Sequence, residues 1–137
     1  MKILGLDIGD VRIGVAMSDA IGMFASPYEV IDRKKTEPFK RIADIVKENS
    51  IGKVIAGLPK SLNGEEKVQA EKVRDFVAKL EKTLGMEIVF IDERYSTVAA
   101  DRMLSATTKK DAREKRKVVD KIAATYILQT YLDMKVK

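Results

Sequence analysis

Short apolar runs, separated by residues typical of turns, dominate the first third of the chain. Three of these runs, residues 3–8, 12–18 and 24–32, have the length and the composition of β-strands. Gly9-Asp10 joins the first two runs and has the composition of a two-residue hairpin turn. The pattern therefore predicts an antiparallel meander of three strands.

The remainder of the chain alternates between apolar residues at helical spacing and short apolar runs. One helix is predicted to begin with Thr36 as its N-cap and Pro38 in its first turn, and Gly85 is predicted to end a second helix. The predicted elements after the meander are this first helix, a strand at 53–57, a helix at 66–84, a strand at 87–91, a short helix from Ser96 to about residue 105 and a final helix at about 117–134.

This alternation predicts an α/β fold. Strands that are separated by helices are expected to be parallel, because right-handed crossovers connect them. Since the first three strands are antiparallel, we expect a mixed sheet of five strands with helices on both faces. A length of 137 residues fits one domain, so residues 1–137 are expected to fold as a single unit.

Composition narrows the class of protein and of chemistry. The chain is 45% hydrophobic and 34% charged, and no apolar run reaches the length of a membrane span. The N-terminus enters a strand pattern at once, without the apolar region of a signal peptide, so we expect a cytoplasmic protein. Cys and His are both absent, which excludes disulfides, zinc–thiolate sites and imidazole catalysis. Hydrolysis would then depend on carboxylates, Lys, Tyr, Ser or a metal-activated water.

The positive charge is concentrated in one segment. The net charge is +5, and residues 109–117 contain six basic and two acidic residues, which supply +4 of it. Such a cluster is a candidate phosphate-binding patch. A solvated loop is the alternative interpretation.

Asp7 lies at the end of the first predicted strand, in the stretch Gly5-Leu-Asp-Ile-Gly9. It could be a turn-forming residue that bonds nearby backbone. The flanking glycines, however, let a ligand or another backbone segment approach closely. The stretch therefore also fits a phosphate or metal site.

Asp92 and Glu93 end the fifth predicted strand, where α/β sheets commonly bind ligands. The two charges could simply mark the point where the strand leaves the core. Side chains alternate along a strand, so only one of the two can readily join Asp7. The residues alone do not decide which one.

Asp120 begins an apolar stripe in the last predicted helix. Residues on its face, at +3, +4, +7, +11 and +14, are Ala123, Ala124, Ile127, Tyr131 and Met134. An Asp in this position is either a favourable charge near the helix N-terminus or a ligand that points inward. Several converging carboxylates repel one another unless a cation lies between them, and Mg²⁺ prefers oxygen ligands. The sequence therefore suggests a carboxylate site for metal ions at one end of the sheet.

Four motifs together resemble the YqgF family over essentially the whole chain. They are Asp7-Ile-Gly-Asp-Val-Arg-Ile-Gly-Val-Ala, Gly57-Leu-Pro-Lys-Ser-Leu-Asn-Gly, Asp92-Glu-Arg-Tyr-Ser-Thr and Val119-Asp-Lys-Ile-Ala-Ala followed by Ile127-Leu-Gln. The resemblance implies an RNase H-like fold, and an activity described either as Holliday junction resolution or as maturation of the 5′ end of pre-16S ribosomal RNA. It also implies that Asp7, Glu93 and Asp120 bind metal, which favours Glu93 over Asp92.

The resulting expectation is a Mg²⁺- or Mn²⁺-dependent nuclease that acts on structured nucleic acid as a monomer or a weak homodimer. Asp7, Glu93 and Asp120 would be both the catalytic residues and the metal ligands. The candidate phosphate contacts are Arg12, Arg94, Arg113, Arg116 and Lys117. Two further alternatives are a nucleotide-binding relative of actin-like ATPases and sugar kinases, which the glycine-flanked Asp7 also resembles, and a nucleic-acid-binding module without catalysis.

Overall fold

Five strands and three helices make up the part of the chain that the structure describes. A computed structural model describes residues 1–59, 67–93 and 112–135, with the backbone alone for 112–119 and 135. The strands are β1 Lys2–Ile8, β2 Arg12–Ser18, β3 Ala25–Asp32, β4 Ile51–Leu58 and β5 Ile88–Asp92. The helices are α1 Pro38–Glu48, α2 Val68–Leu84 and α3 Ala112–Lys135. The helix predicted between Ser96 and residue 105 lies outside the described residues.

All five strands belong to one mixed sheet, in the order β3-β2-β1-β4-β5. Antiparallel pairing joins β1 to β2 and β2 to β3, whereas β4 is parallel to both β1 and β5. The predicted meander and the predicted parallel strands are both confirmed. The parallel pairs bring the carboxyl ends of β1, β4 and β5 to the same end of the sheet. This is the end at which α/β sheets commonly bind ligands.

Each face of the sheet buries its own apolar cluster. On one face, residues such as Leu4, Leu6 and Val54 pack with α1 and α2. On the other face, Ile3 and Ile55 belong to a cluster that α3 covers. Because side chains alternate along a strand, positions 3, 5 and 7 of β1 and positions 55 and 57 of β4 face α3. The prediction of helices on both faces is therefore confirmed.

Both helices on the first face begin or end at particular capping residues. The N-cap of α1 is Glu37, whose carboxylate accepts hydrogen bonds from the amides of Phe39 and Lys40. The prediction that Thr36 is the cap was wrong by one residue, although Pro38 does occupy the first turn. Gly85 ends α2 in the left-handed conformation with φ of 66°, as predicted, because a glycine adopts that conformation without steric cost.

The turn between β1 and β2 lies one residue further along the chain than predicted. The amide of Gly9 donates to the carbonyl of Arg12 at 2.9 Å, so these two residues still form a cross-strand pair. The turn consists of Asp10 and Val11, neither of which has a positive φ. The prediction of Gly9-Asp10 as the turn was therefore wrong, and Arg12 is held in the sheet.

α3 begins at least five residues earlier than predicted. It is continuous from Ala112 to Lys135, so residues 112–117 of the basic segment are helical rather than a loop. Its buried stripe contains Ala123, Ala124, Ile127, Leu128 and Leu132. The prediction that Met134 belongs to this stripe was wrong, since its side chain is 55% exposed. Within the described ranges, no helix is long and apolar enough to cross a membrane.

Candidate active site

Three glycines on the α3 face of the sheet allow the helix to approach the strands closely. A Cβ atom built on Gly5 would lie 2.7 Å from the Cβ of Leu128, and one on Gly57 would lie 2.6 Å from the Cδ1 of Ile127. The contact at Gly14 is closer still, because a Cβ there would lie 2.0 Å from the carbonyl oxygen of Asp120. Any side chain at Gly14 would therefore collide with the backbone of α3.

Asp7 is the second-last residue of β1, and its side chain faces α3. It is directly opposite Gly14 in the antiparallel pair, and directly opposite residues have their side chains on the same face. Since the missing side chain of Gly14 would point at Asp120, the side chain of Asp7 also points to that side of the sheet. Asp7 is only 4% exposed, which is an unusual burial for a carboxylate.

Glu93 reaches the same face of the sheet from the end of β5. Its Oε1 lies 2.9 Å from the position that a Cβ on Gly57 would occupy, and Gly57 faces α3. Glu93 is 7% exposed. Asp92 follows Ile88 and Phe90, which pack on the opposite face, so alternation directs it away from α3. The geometry thus favours Glu93 over Asp92, as the family resemblance did.

Asp120 lies in the third turn of α3, eight residues after Ala112. The influence of the helix dipole falls off within the first turn, so the interpretation of Asp120 as a charge near the helix N-terminus was wrong. Its Oδ2 accepts a hydrogen bond from the Nε of Arg12 at 2.8 Å, and the two side chains are 20% and 19% exposed. Asp120 therefore faces the sheet and is paired with a cation.

The structure brings all three acidic side chains to the α3 face at one end of the sheet. Asp7, Glu93 and Asp120 each take part in at least one further polar or electrostatic interaction. Among the described residues, no three His, Cys, Asp or Glu side chains form a cluster with the spacing of a metal site. The oxygen donors nevertheless suit a hard divalent cation, and the guanidinium of Arg12 provides one positive charge beside Asp120.

The predicted phosphate contacts are only partly described. Arg12 contacts Asp120, as above. The backbone of residues 113, 116 and 117 lies in the first two turns of α3, at the same end of the helix as Asp120. Arg94 lies outside the described residues.

The sequence analysis missed two cations next to the β1–β2 turn. Arg33 donates from Nη1 to the carbonyl of Gly9 at 2.8 Å and lies 4.9 Å above the ring of Phe76. Lys72 on α2 lies 3.6 Å from the carboxylate of Asp10. No local pattern indicates these contacts, because each joins residues that are at least 24 positions apart in the chain.

Comparison with known proteins identifies the family of the chain. The family model described as "RuvX: Holliday junction resolvase" matches residues 1–134. The chain belongs to the RuvX family. The resemblance to the YqgF family, which rested on four motifs, is thereby confirmed. The alternative of a nucleotide-binding relative of actin-like ATPases receives no support from this match.

Relatives cover the chain almost completely. A protein of Fusobacterium nucleatum subsp. nucleatum, named "Putative pre-16S rRNA nuclease", is 60% identical over 135 residues, which are 98% of this chain and 98% of that protein. A protein of the same name from Caldanaerobacter subterraneus subsp. tengcongensis is 46% identical over 134 residues, with 97% and 96% covered. The family description and these names are those of nucleases, which confirms the predicted class of activity.

Solved structures share the fold at low identity. RuvC of T. thermophilus, in complex with a Holliday junction substrate, has a TM-score of 0.59 at 15% identity, covering 98% of this chain and 96% of that one. The Holliday junction resolvase of fowlpox virus has a TM-score of 0.52 at 16% identity, covering 98% and 99%. At such identities the likeness shows the fold alone, and it confirms the predicted RNase H-like sheet.

Proposed function

We propose that this RuvX family member is a nuclease that depends on Mg²⁺ or Mn²⁺ and matures the 5′ end of pre-16S ribosomal RNA. Asp7, Glu93 and Asp120 are its catalytic residues and metal ligands. The observation that carries the proposal is that acidic side chains from β1, the end of β5 and α3 lie on one face at one end of the sheet. The 60% identical relative named as a pre-16S rRNA nuclease supports the choice of substrate.

The donor set fits one or two hard divalent cations, since all three ligands are carboxylates. Such a cation would supply Lewis-acid activation of the attacking water and would offset the charge that develops on the leaving oxygen. The chain itself contains no His or Cys, so no imidazole or thiol can share this work. The carboxylates would hold the cation, and Gly14 lets the backbone of Asp120 lie close against β2.

The basic residues bind the nucleic-acid backbone in this proposal. Arg12, Arg94 and the start of α3, with Arg113, Arg116 and Lys117, contact phosphates on either side of the cleaved bond. Phosphate contacts of this kind position a nucleic acid without reading its sequence. Specificity then comes from the folded shape of the RNA around the cleavage site.

The test is cleavage of a 5′-extended 16S rRNA precursor by a highly purified preparation with Mg²⁺ or Mn²⁺. We expect Asp7→Asn to reduce the rate at least about 100-fold, because it removes a charged ligand. Asp75→Asn is the matched control, since Asp75 is exposed on α2 on the other face of the sheet. Cleavage that survives in Asp7→Asn and requires added metal would contradict the proposed site.

Resolution of four-way DNA junctions is the second candidate, because the matching family is described as Holliday junction resolvase. The same assay distinguishes the two candidates if a synthetic junction and a single strand are included beside the rRNA precursor. Paired symmetric cuts in the junction, with no cleavage of the RNA, would favour the resolvase. Tight binding without cleavage of any substrate would favour a binding module that has no catalytic activity.

The proposal carries three further expectations about the state of the protein. Maturation of ribosomal RNA takes place in the bacterial cytoplasm, where we expect this protein. Residues 1–137 form a single nuclease domain, and a monomer or a weak homodimer suffices for cutting one RNA strand. Sedimentation of the protein alone and with the RNA precursor tests the oligomeric state.

A further inference from the structure

Arg12 and Asp120 form a contact that bears directly on how the proposed site would accept a cation. Arg12 is the first residue of β2, on the face that α3 covers, and Asp120 lies 108 positions later in the chain. The Nε–Oδ2 distance is 2.8 Å, and both side chains are about four-fifths shielded from water. A pair shielded in this way is screened less than an exposed pair, so the contact holds Asp120 in place.

The charges at this end of the sheet explain why such a contact is needed. Asp7, Glu93 and Asp120 together carry three negative charges, and Arg12 contributes one positive charge beside them. Nearby carboxylates repel one another unless a cation reduces the repulsion. Arg12 therefore offsets the charge of Asp120, which is one part of what a bound divalent cation would do. It also occupies Oδ2, one of the two oxygens with which Asp120 could bind a cation.

We propose that Arg12 is an exchangeable counter-ion of Asp120. When a divalent cation binds, Asp120 leaves Arg12 for the cation, and the guanidinium turns to a phosphate of the nucleic acid. The inference rests on the proposed function, since it concerns the same carboxylates.

The backbone around the pair supports an exchange that involves side chains alone. The carbonyl of Arg12 accepts a hydrogen bond from the amide of Gly9, which fixes the strand. The backbone of Asp120 is pressed against Gly14, which fixes the helix. Rotation of the two side chains is therefore enough to separate them, and neither β2 nor α3 needs to move.

The chemistry of arginine suits both partners. A guanidinium presents five N–H donors in a planar fork that matches carboxylates and phosphates alike, and the contact with Asp120 uses only Nε. Loss of Asp120 therefore leaves a charged, preorganised donor beside the proposed cleavage site. A lysine would keep the charge but would lack the fork.

The test measures Mn²⁺ binding to the protein alone, by titration with detection of free Mn²⁺ by electron paramagnetic resonance. We expect Arg12→Gln to bind Mn²⁺ about tenfold more tightly than the wild type, because a competing positive charge has been removed. Arg12→Lys keeps the charge and should stay within about twofold of the wild type. Arg41→Gln is the matched control, since it breaks the ion pair with Glu29 on the other face of the sheet and should change nothing.

An unchanged or weaker Mn²⁺ affinity in Arg12→Gln would overturn the exchange and leave the proposed function standing. Absence of Mn²⁺ binding in both the wild type and the variants would overturn both. If Arg12→Gln does not fold, the wild type supplies the answer by nuclear magnetic resonance. Addition of Mg²⁺ should then shift the Nε–H signal of Arg12 and speed its exchange with water, whereas a protected, unmoved signal would refute the exchange.

Discussion

Replacing Gly14 with alanine should force α3 away from the sheet beside Asp120. A Cβ at Gly14 would lie 2.0 Å from the carbonyl oxygen of Asp120 and 2.7 Å from its carbonyl carbon. Since ordinary contacts begin near 3.4 Å, the helix backbone must move by about 1.4 Å. Both atoms belong to the backbone, so no side-chain rotation can relieve the collision.

The expected loss of stability depends on which atoms the new Cβ would collide with. Overpacking a core costs about 1–3 kcal/mol, and a collision with backbone belongs at the upper end, at about 3 kcal/mol. For a chain of this length, that loss lowers the melting temperature by about 10 °C. A misplacement of about 1 Å in a reacting group can slow an enzyme about 100-fold, so cleavage by the folded variant should fall by a similar factor.

Urea denaturation of Gly14→Ala beside Gly52→Ala measures the effect. A Cβ at Gly52 would also be crowded, at 2.6 Å, but by the side chain of Met1, which is exposed and can rotate away. The control should therefore lose less than about 0.5 kcal/mol. Equal midpoints for the two variants would refute the close approach of α3 to β2. A destabilised Gly14→Ala that cleaves at the wild-type rate would instead refute the role of Asp120.

Three further variants test separate parts of the fold and site. Ser18→Ala should lose about 1–3 kcal/mol in urea denaturation, because its buried hydroxyl accepts a β1 amide at 2.8 Å, whereas Ser26→Ala on exposed β3 should lose less than about 0.5 kcal/mol. Gly85→Ala should lose about 1–2 kcal/mol in thermal denaturation, because φ is 66°. Neutralising Arg113 and Arg116 together should make RNA binding less sensitive to salt. The slope of the logarithm of the binding constant against the logarithm of the salt concentration should become less steep by about 1.4–1.8.

Each of these expectations has a result that contradicts it. Equal stability of the two serine variants would show that the buried amide is paired in some other way. A Gly85→Ala variant as stable as the wild type would contradict the left-handed cap of α2. An unchanged salt slope after the double substitution would show that the start of α3 does not touch the phosphates of the RNA.

The five strands could be predicted because each is an apolar run with its own boundaries, but their order across the sheet was not predicted. Capping was less predictable. Thr36 and Glu37 are both polar and adjacent, and only the structure shows that the Glu37 carboxylate reaches the two amides of α1. The β1–β2 turn was misplaced for a similar reason, since the composition of Gly9-Asp10 suggests a turn whether or not Gly9 remains in the ladder.

The start of α3 was missed because the prediction followed the apolar stripe. Residues 112–117 contain no large apolar residue, but Arg, Lys and Glu favour helices almost as strongly as Leu does. At the other end, Met134 lies on the predicted face but two residues beyond Leu132, the last buried residue of the helix. Periodicity shows which side of a helix is apolar but not how far a sheet extends beneath it.

For the candidate site, the sequence could indicate which acids belong together but not what holds them. The β-strand ends and the family motifs pointed to Asp7 and Glu93, and the structure places both on the α3 face. The contact between Arg12 and Asp120 joins residues that are 108 positions apart, so no local pattern could reveal it. The same distance in sequence explains why Arg12 was expected to contact phosphate alone.

Because α3 is one continuous helix from Ala112 to Lys135, the distance between its first turns and Asp120 is fixed. At a rise of 1.5 Å per residue, the α-carbon of residue 113 lies about 10 Å from that of Asp120 along the helix axis. That length equals about three base steps of a helical nucleic acid at 3.4 Å each. A nucleic-acid backbone that binds to the first turns of α3 would thus be cut at a fixed distance from that contact. The enzyme could select one phosphodiester by length, without reading a base.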